Sequence, residues 1–132
     1  MEVTIIGAGN MGRGIGTRLV AGGNRVKIID NDPEELSKRL PQDAKVVKAF
    51  NTTFAGTLVE GQVAGQPLDV FIAGEDENAK QTVAELARAG GLNPIDAGPL
   101  RRARELERIG FLHMTLQDGL GTGYGSAIKV IS

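Results

Sequence analysis

The sequence contains no cysteine and no tryptophan, a single tyrosine and a single histidine. Without cysteine there are no disulfides, no thiolate metal ligands and no thiol nucleophile. Aromatic residues make up only 4% of the 132 positions while hydrophobic residues make up 41%, so the core must be built from Val, Ile, Leu and Ala. That composition suits a buried parallel sheet with helices on its faces. The net charge is −1, which gives no general pull toward nucleic acid or acidic membranes. No apolar run approaches the ~18 residues that a membrane helix needs, and the N-terminus reads as a strand, not a signal peptide. The length fits one domain, residues 1–132, and the expected setting is cytoplasmic.

What is abundant is glycine, 19 residues, and its placement organises the chain. An apolar run, Val3 to Ile6, enters Gly7-Ala8-Gly9-Asn10-Met11-Gly12. A helical pattern of Ile15, Leu19 and Val20 follows and stops at Gly22-Gly23. A second apolar run, Val26 to Ile29, ends on Asp30. This is G-x-G-x-x-G with a strand before it and a helix after it, the setting of a dinucleotide-binding fingerprint. Gly7 permits a sharp turn, Gly9 leaves room for a pyrophosphate, and Gly12 lets the helix lie close to the strand. The phosphates would meet free N–H groups at the helix start. Asp30, 18 residues past Gly12, is placed to accept hydrogen bonds from a ribose. The expected cofactor-binding residues are therefore Gly7, Ala8, Gly9, Asn10, Met11 and Gly12, with Asp30 and Asn31. The expected fold is α/β, a Rossmann-like, doubly wound, mostly parallel sheet, shortened in its middle.

The remainder alternates strand and helix. Asn31-Asp32-Pro33 starts a short helix that stops before Pro41. Ala44 to Phe50 reads as a strand, Thr53 to Val59 as a short helix, and Gly61 to Pro67 as a loop. Leu68 to Ala73 is a strand, and Glu75-Asp76-Glu77 opens a helix ending at Gly90-Gly91. Those acids serve the helix dipole more simply than they would a metal. Asn93 to Ala97 is a strand, Gly98-Pro99 starts a helix to about Gln117, Gly119 to Gly125 is a connector, and Ala127 to Ile131 could be a last strand. Only about ten residues separate Asp30 from Pro41, so the first crossover is compressed, or the sheet is completed by another chain. Unpaired edges template a homodimer, through Lys45 to Phe50 or the C-terminal strand.

Three blocks carry a family resemblance: IIGAGNMGRGIGTRLVAGG, KVVKAFNTTFAGTL, and FIAGEDENAK with NPIDAGPLRRARELE, followed by the tail LGTGYGSAIKVI. Together they resemble the NAD(P)-binding, F420-dependent oxidoreductases, including the NADPH:F420 reductases. The resemblance implies hydride transfer between a nicotinamide and F420 or a flavin such as FMN. The protein would supply binding and orientation rather than an acid–base pair. Members of that family carry a further strand–helix–strand–helix region that the join at Leu40-Pro41 skips, which leaves a non-catalytic NAD(H)-binding or regulatory module as the alternative. NADP-using members place Ser and Arg after the second strand. Asp30-Asn31-Asp32 would repel a 2′-phosphate, so NAD(H) is favoured over NADP(H).

Four further features read two ways. Asn51 and Thr52, just past a strand, would sit at the carboxyl edge as ligand contacts or act as a helix cap. Gly98-Pro99 either borders a second ligand or makes a tight turn. His113 is more simply a packed side chain than a catalyst. Arg101, Arg102, Arg104 and Arg108 either form a salt-bridged face with Glu105 and Glu107 or grip an acidic cofactor tail.

Overall fold

The computed structural model describes residues 1–6, 9–29 and 44–132. Strand β1 (Glu2–Ile6) leads to helix α1 (Asn10–Ala21) and strand β2 (Arg25–Ile29). β1 and β2 pair in parallel, from Glu2 opposite Arg25 to Ile6 opposite Ile29. Side chains alternate along both strands. Val3, Ile5 and Val26 are half-buried, whereas Glu2, Thr4, Arg25 and Lys27 are exposed. One face of this ribbon is therefore polar, unlike the two buried faces that the composition suggested. α1 ends at Gly22, and Gly23, at φ +82°, reverses the chain. The expected helix from Asn31-Asp32-Pro33 and the join at Leu40-Pro41 lie outside the described residues.

The rest of the chain forms strand β3 (Val47–Lys48), helix α2 (Ala55–Glu60), strands β4 (Gln62–Val63), β5 (Gln66–Pro67) and β6 (Asp69–Gly74), and helix α3 (Glu77–Ala89). Strand β7 (Asn93–Gly98), a 3-10 turn (Leu100–Arg102), α4 (Ala103–Thr115) and α5 (Gln117–Leu120) follow. The sheet order is β3-β6-β7, with β6 parallel to β7 and β3 antiparallel to β6. Among the described residues no ladder joins this sheet to the β1–β2 pair. Leu58, Leu68, Val70, Ile72, Ala84, Ala87 and Leu92 form the core, and Met11 and Ile15 of α1 pack onto it. Asp76 caps α3 by accepting from Ala79 N–H at 2.8 Å, while Glu77 pairs with buried Lys80 at 2.8 Å. The acids at the start of α3 thus cap and pair. Bonds from Glu77 and Asp96 outweigh burial and push the Lys80 pKa up.

Several expected elements differ. Ala44 to Phe50 shrinks to the two residues of β3, because Phe50 adopts φ +66° and ends the extended run. The expected loop Gly61 to Pro67 contains the β4–β5 hairpin, turned by Ala64 at φ +51° and Gly65 at φ +74°. That is the type I′ geometry whose twist matches a hairpin. The helix after Gly98-Pro99 begins as a 3-10 turn and continues to Leu120, taking in part of the expected connector. Ala127 to Ile131 is not a strand. Val130 N–H donates to Asp69 Oδ2 at 2.7 Å and Lys129 Nζ to Asp69 Oδ1 at 2.8 Å, so a carboxylate takes the place of a neighbouring strand. With the tail held in this way, residues 127–131 form no C-terminal edge strand.

Two helix ends interlock where side chains are missing. A Cβ on Gly22 would lie 2.7 Å from the Ala89 carbonyl carbon, and one on Gly90 would lie 2.6 Å from the Arg18 carbonyl oxygen. Both obstacles are backbone, so Gly22→Ala and Gly90→Ala should each cost ~1–3 kcal/mol in urea unfolding. Because they touch one contact, the double variant should lose clearly less than the sum. Additive losses would show that the ends do not meet.

Asp69 is 1% exposed. Burial pushes its pKa up, but hydrogen bonds from Asn93, Lys129 and Val130 together bring it below the ordinary carboxylate value. Its contribution to stability is then full above the ordinary range and is lost as pH falls through the lowered pKa. Asp69→Asn should cost ~1–3 kcal/mol at neutral pH, the worth of hydrogen bonds to a charged group. The gap to the parent should narrow below about pH 4, the unfolded carboxylate range. A gap independent of pH would contradict this role.

Candidate functional site

The site is built where α1 begins. Gly9 is the N-cap, extended at φ −68° and ψ 178°, and its carbonyl accepts the first helical bond from Arg13 N–H at 3.0 Å. Among the described residues no side chain caps the helix, and no acid stands in its first turn. The N–H groups of Asn10, Met11 and Gly12 have no acceptor within the helix, and the positive end of the dipole lies there. A Cβ built on Gly9 meets nothing within 4 Å among the described residues. The absence of a side chain at Gly9 therefore leaves open space rather than serving internal packing.

A groove of about 370 Å³ opens beside this helix start, lined by Asn10, Arg13, Ala55, Gly56 and Val59. Gly56 also has nothing within 4 Å of its would-be Cβ. The groove has a mixed wall, with one bare glycine, a carboxamide and a guanidinium. Such a wall accepts an anion that approaches backbone closely. α1 is brought up to α2 through Gly14, whose Cβ would lie 3.2 Å from the Ala55 carbonyl oxygen. It is brought up to the β1–β2 ribbon through Gly16, whose Cβ would lie 3.0 Å from Ile28 Cδ1.

The segment after β3 forms the other side of the groove. Because β3 is antiparallel to β6 and β7, this segment leaves the three-stranded sheet at the end opposite to Gly98-Pro99. Asn51 and Thr52 are therefore not at the carboxyl edge of β6 and β7. The helix that follows them, α2, borders the α1 start through Ala55 and Gly56. Asn51 Nδ2 donates to the Leu106 carbonyl at 2.7 Å, and its Oδ1 is buried without a partner among the described residues. Thr52 is buried. Gly110 makes room for this clamp, since a Cβ there would lie 2.7 Å from the Asn51 carbonyl oxygen. Phe54 caps α2 and stacks on His113 at 4.4 Å between ring centres, with Tyr124 edge-on at 5.1 Å. His113 is buried and holds Ser126 Oγ at 2.8 Å through Nε2, beside Gln117, which binds Ser126 and Thr122. The histidine is thus a packed side chain that ties the tail to α4.

Of the expected residues, Gly9, Asn10 and Gly12 gather at the α1 start, while Met11 turns its side chain toward the core. Gly7, Ala8, Asp30 and Asn31 lie outside the described residues. Sequence reasoning missed Arg13, Ala55, Gly56 and Val59. Arg13 follows Asn10 by three positions, a spacing that puts both on one helix face. Gly98-Pro99 starts the 3-10 turn, and Leu100 N–H donates to Glu75 Oε1 at 3.0 Å. Arg101 and Arg102 of the 3-10 turn and Arg104 and Arg108 of α4 are exposed, and among the described residues the ion pair seen on α4 is Lys48 with Glu107 at 3.1 Å.

If Asn51 acts as a clamp, Asn51→Ala strips the Leu106 carbonyl of its donor and should cost ~1–2 kcal/mol in urea unfolding. A variant as stable as the parent would contradict the clamp.

Comparison with known proteins places these features in a family. The TrkA-N domain matches residues 3–114. Metalloreductase STEAP3 of Rattus norvegicus is 41% identical over 85 residues, 64% of this chain and 17% of the relative. Metalloreductase STEAP2 of Homo sapiens is 36% identical over 90 residues, 68% of this chain and 18% of the relative. The chain thus spans less than a fifth of the length of these curated relatives. A crystal structure of a proposed F420-dependent NADP-reductase from an Arthrobacter species superposes with a TM-score of 0.79 at 21% identity, covering 98% of both chains. Protein SMa0349 of Sinorhizobium meliloti, of no assigned function, superposes at 0.58 and 21% identity, over 74% of this chain and 85% of its own. The glycine-loop start of α1, the α/β architecture and the match over residues 3–114 agree: the chain belongs to the TrkA-N domain family and has its Rossmann-like, NAD(P)-binding fold.

Proposed function

We propose that this chain is a single dinucleotide-binding domain that holds NAD(H) in preference to NADP(H) and passes hydride between it and a second redox cofactor, F420 or a flavin such as FMN. The observation that carries the reading is the uncapped start of α1, with open space at Gly9 and a groove beside it. Gly7, Ala8, Gly9, Asn10, Met11 and Gly12 cradle the diphosphate, chiefly through backbone N–H groups. Arg13 adds a cation on the same face. Asp30 and Asn31 take the adenosine ribose, and the acids at Asp30 and Asp32 disfavour a 2′-phosphate. Asn51 and Thr52 set where the α2 turn stands and so shape the far wall. The nicotinamide supplies the hydride; the protein's part is to bind, orient and exclude water. A cytoplasmic setting and self-association belong to this reading. The name of the Arthrobacter relative supports the redox assignment, and the STEAP relatives are reductases by name.

Gly9→Val separates binding from folding. Its Cβ has free space and its φ is ordinary, so the expected loss in urea unfolding is only that of a poorer N-cap residue, about 1 kcal/mol. NADH affinity, read by fluorescence titration, should fall at least tenfold, about 1.4 kcal/mol. Asp30→Ala should weaken NADH by ~1–3 kcal/mol and narrow the preference over NADPH. Mixing the NADH-loaded chain with F420 or FMN then tests turnover. Oxidation supports the oxidoreductase; binding without oxidation supports a module that holds NAD(H) without turnover. Equal NADH affinity in the parent and Gly9→Val would overturn the site.

A further inference from the structure

We propose that the second redox cofactor is one that carries a phosphate, FMN in place of riboflavin, and that Arg13 selects it. The inference rests on the reading of the α1 start as a dinucleotide site and names what occupies the groove beside it. That groove is lined by Asn10, Arg13, Ala55, Gly56 and Val59 and has no acid in its wall. Its only formal charge is the guanidinium. Arg13 is exposed, and among the described residues no carboxylate pairs with it. It is the fourth residue of α1, near the positive end of the helix dipole, where a cation is ill matched. An anionic ligand in the groove offsets that mismatch, and a guanidinium suits phosphate oxygens. The next polar side chain on this face is already engaged: the Thr17 hydroxyl donates to the Arg13 carbonyl at 2.9 Å.

The dinucleotide's diphosphate does not need this side chain. It meets the N–H groups of Asn10, Met11 and Gly12, which end the helix axis and have no acceptor within the helix. The Arg13 N–H is bound to the Gly9 carbonyl at 3.0 Å, so this residue offers only its guanidinium. Asn10 and Arg13 share a face, and at 1.5 Å per residue Arg13 stands ~4.5 Å farther along α1. The opposite wall is apolar. Ala55 and Val59, four positions apart on one face of α2, present methyl groups, and Val59 is 41% exposed. Gly56 leaves its backbone bare, with nothing within 4 Å of a would-be Cβ among the described residues. One cation facing an apolar wall suits an occupant with an anionic end and an apolar, planar body. A flavin phosphate has both; neutral riboflavin has only the second. Arg101, Arg102, Arg104 and Arg108 do not line this groove, so a phosphate held here is not held by them.

NADH is first titrated against the parent chain; no binding would overturn the dinucleotide reading and this inference with it. The chain is then saturated with NAD+, which has no hydride to give, and FMN and riboflavin are titrated by fluorescence anisotropy. FMN should bind more tightly by about tenfold or more, as a bond between charged groups gives. Arg13→Gln should bring FMN down to the riboflavin level and leave riboflavin and NADH within about twofold of the parent. Arg13→Lys, which keeps the charge but not the fork of donors, should recover part of the difference. Arg13 is exposed, so both variants should unfold in urea like the parent. A parent chain that binds NADH but holds the two flavins equally, or holds neither, would overturn the assignment and leave the dinucleotide reading standing. An FMN preference that survives Arg13→Gln would do the same, as would an equal loss of both flavins. An Arg13→Gln chain that loses as much NADH as FMN would return the guanidinium to the diphosphate and overturn the assignment equally.

Discussion

Helix α1 is held by close approach at bare Cα positions, and the rest of the structure depends on that. It meets the β1–β2 ribbon at Gly16, α2 at Gly14 and the end of α3 at Gly22. Each mid-helix glycine weakens the helix by about 1 kcal/mol relative to alanine. The close packing they allow is what fixes the direction of the helix axis. Its N-terminus, and the N–H groups there, are thereby aimed at one groove.

The far wall of that groove is held from a distance. Asn51 clamps the chain after β3 to the Leu106 carbonyl, and Phe54 stacks on His113 one residue before α2 begins. His113 and Gln117 then hold Ser126, and Lys129 and Val130 are bound by buried Asp69. Polar and aromatic contacts thus run from the groove wall, through α4, to the start of β6. In a chain with so few aromatics, that places Phe54, Tyr124 and the one histidine in a single cluster. Its chemistry is structural: buried polar groups with mostly satisfied partners make a rigid support.

The local half of the fold was legible in the sequence. Strong apolar periodicity and glycine punctuation gave β1, α1, β2, β6, α3 and β7 to within a residue or two, whereas the cap by Asp76 was read only as an acid serving the helix dipole. Two of the misses were decided by a partner distant in sequence. Ala127 to Ile131 has strand composition, but its donors go to Asp69, some sixty residues away. β3 is short because Phe50 turns left-handed and aims Asn51 at a helix fifty-five residues on. The β4–β5 hairpin turns through Ala64, a residue type that gives no signal for positive φ. The site divides in the same way. Gly9, Asn10 and Gly12 come from one contiguous motif. Ala55, Gly56 and Val59 enter only because Gly14 admits the Ala55 carbonyl, which no spacing rule announces.

Backbone amide resonances followed through an NADH titration test the central claim most directly. A diphosphate seated at the start of α1 predicts the largest shifts at Asn10, Met11 and Gly12, moving with one binding constant, with smaller shifts at Ala55 and Gly56. Largest shifts elsewhere, with the three amides unmoved at saturation, would contradict it.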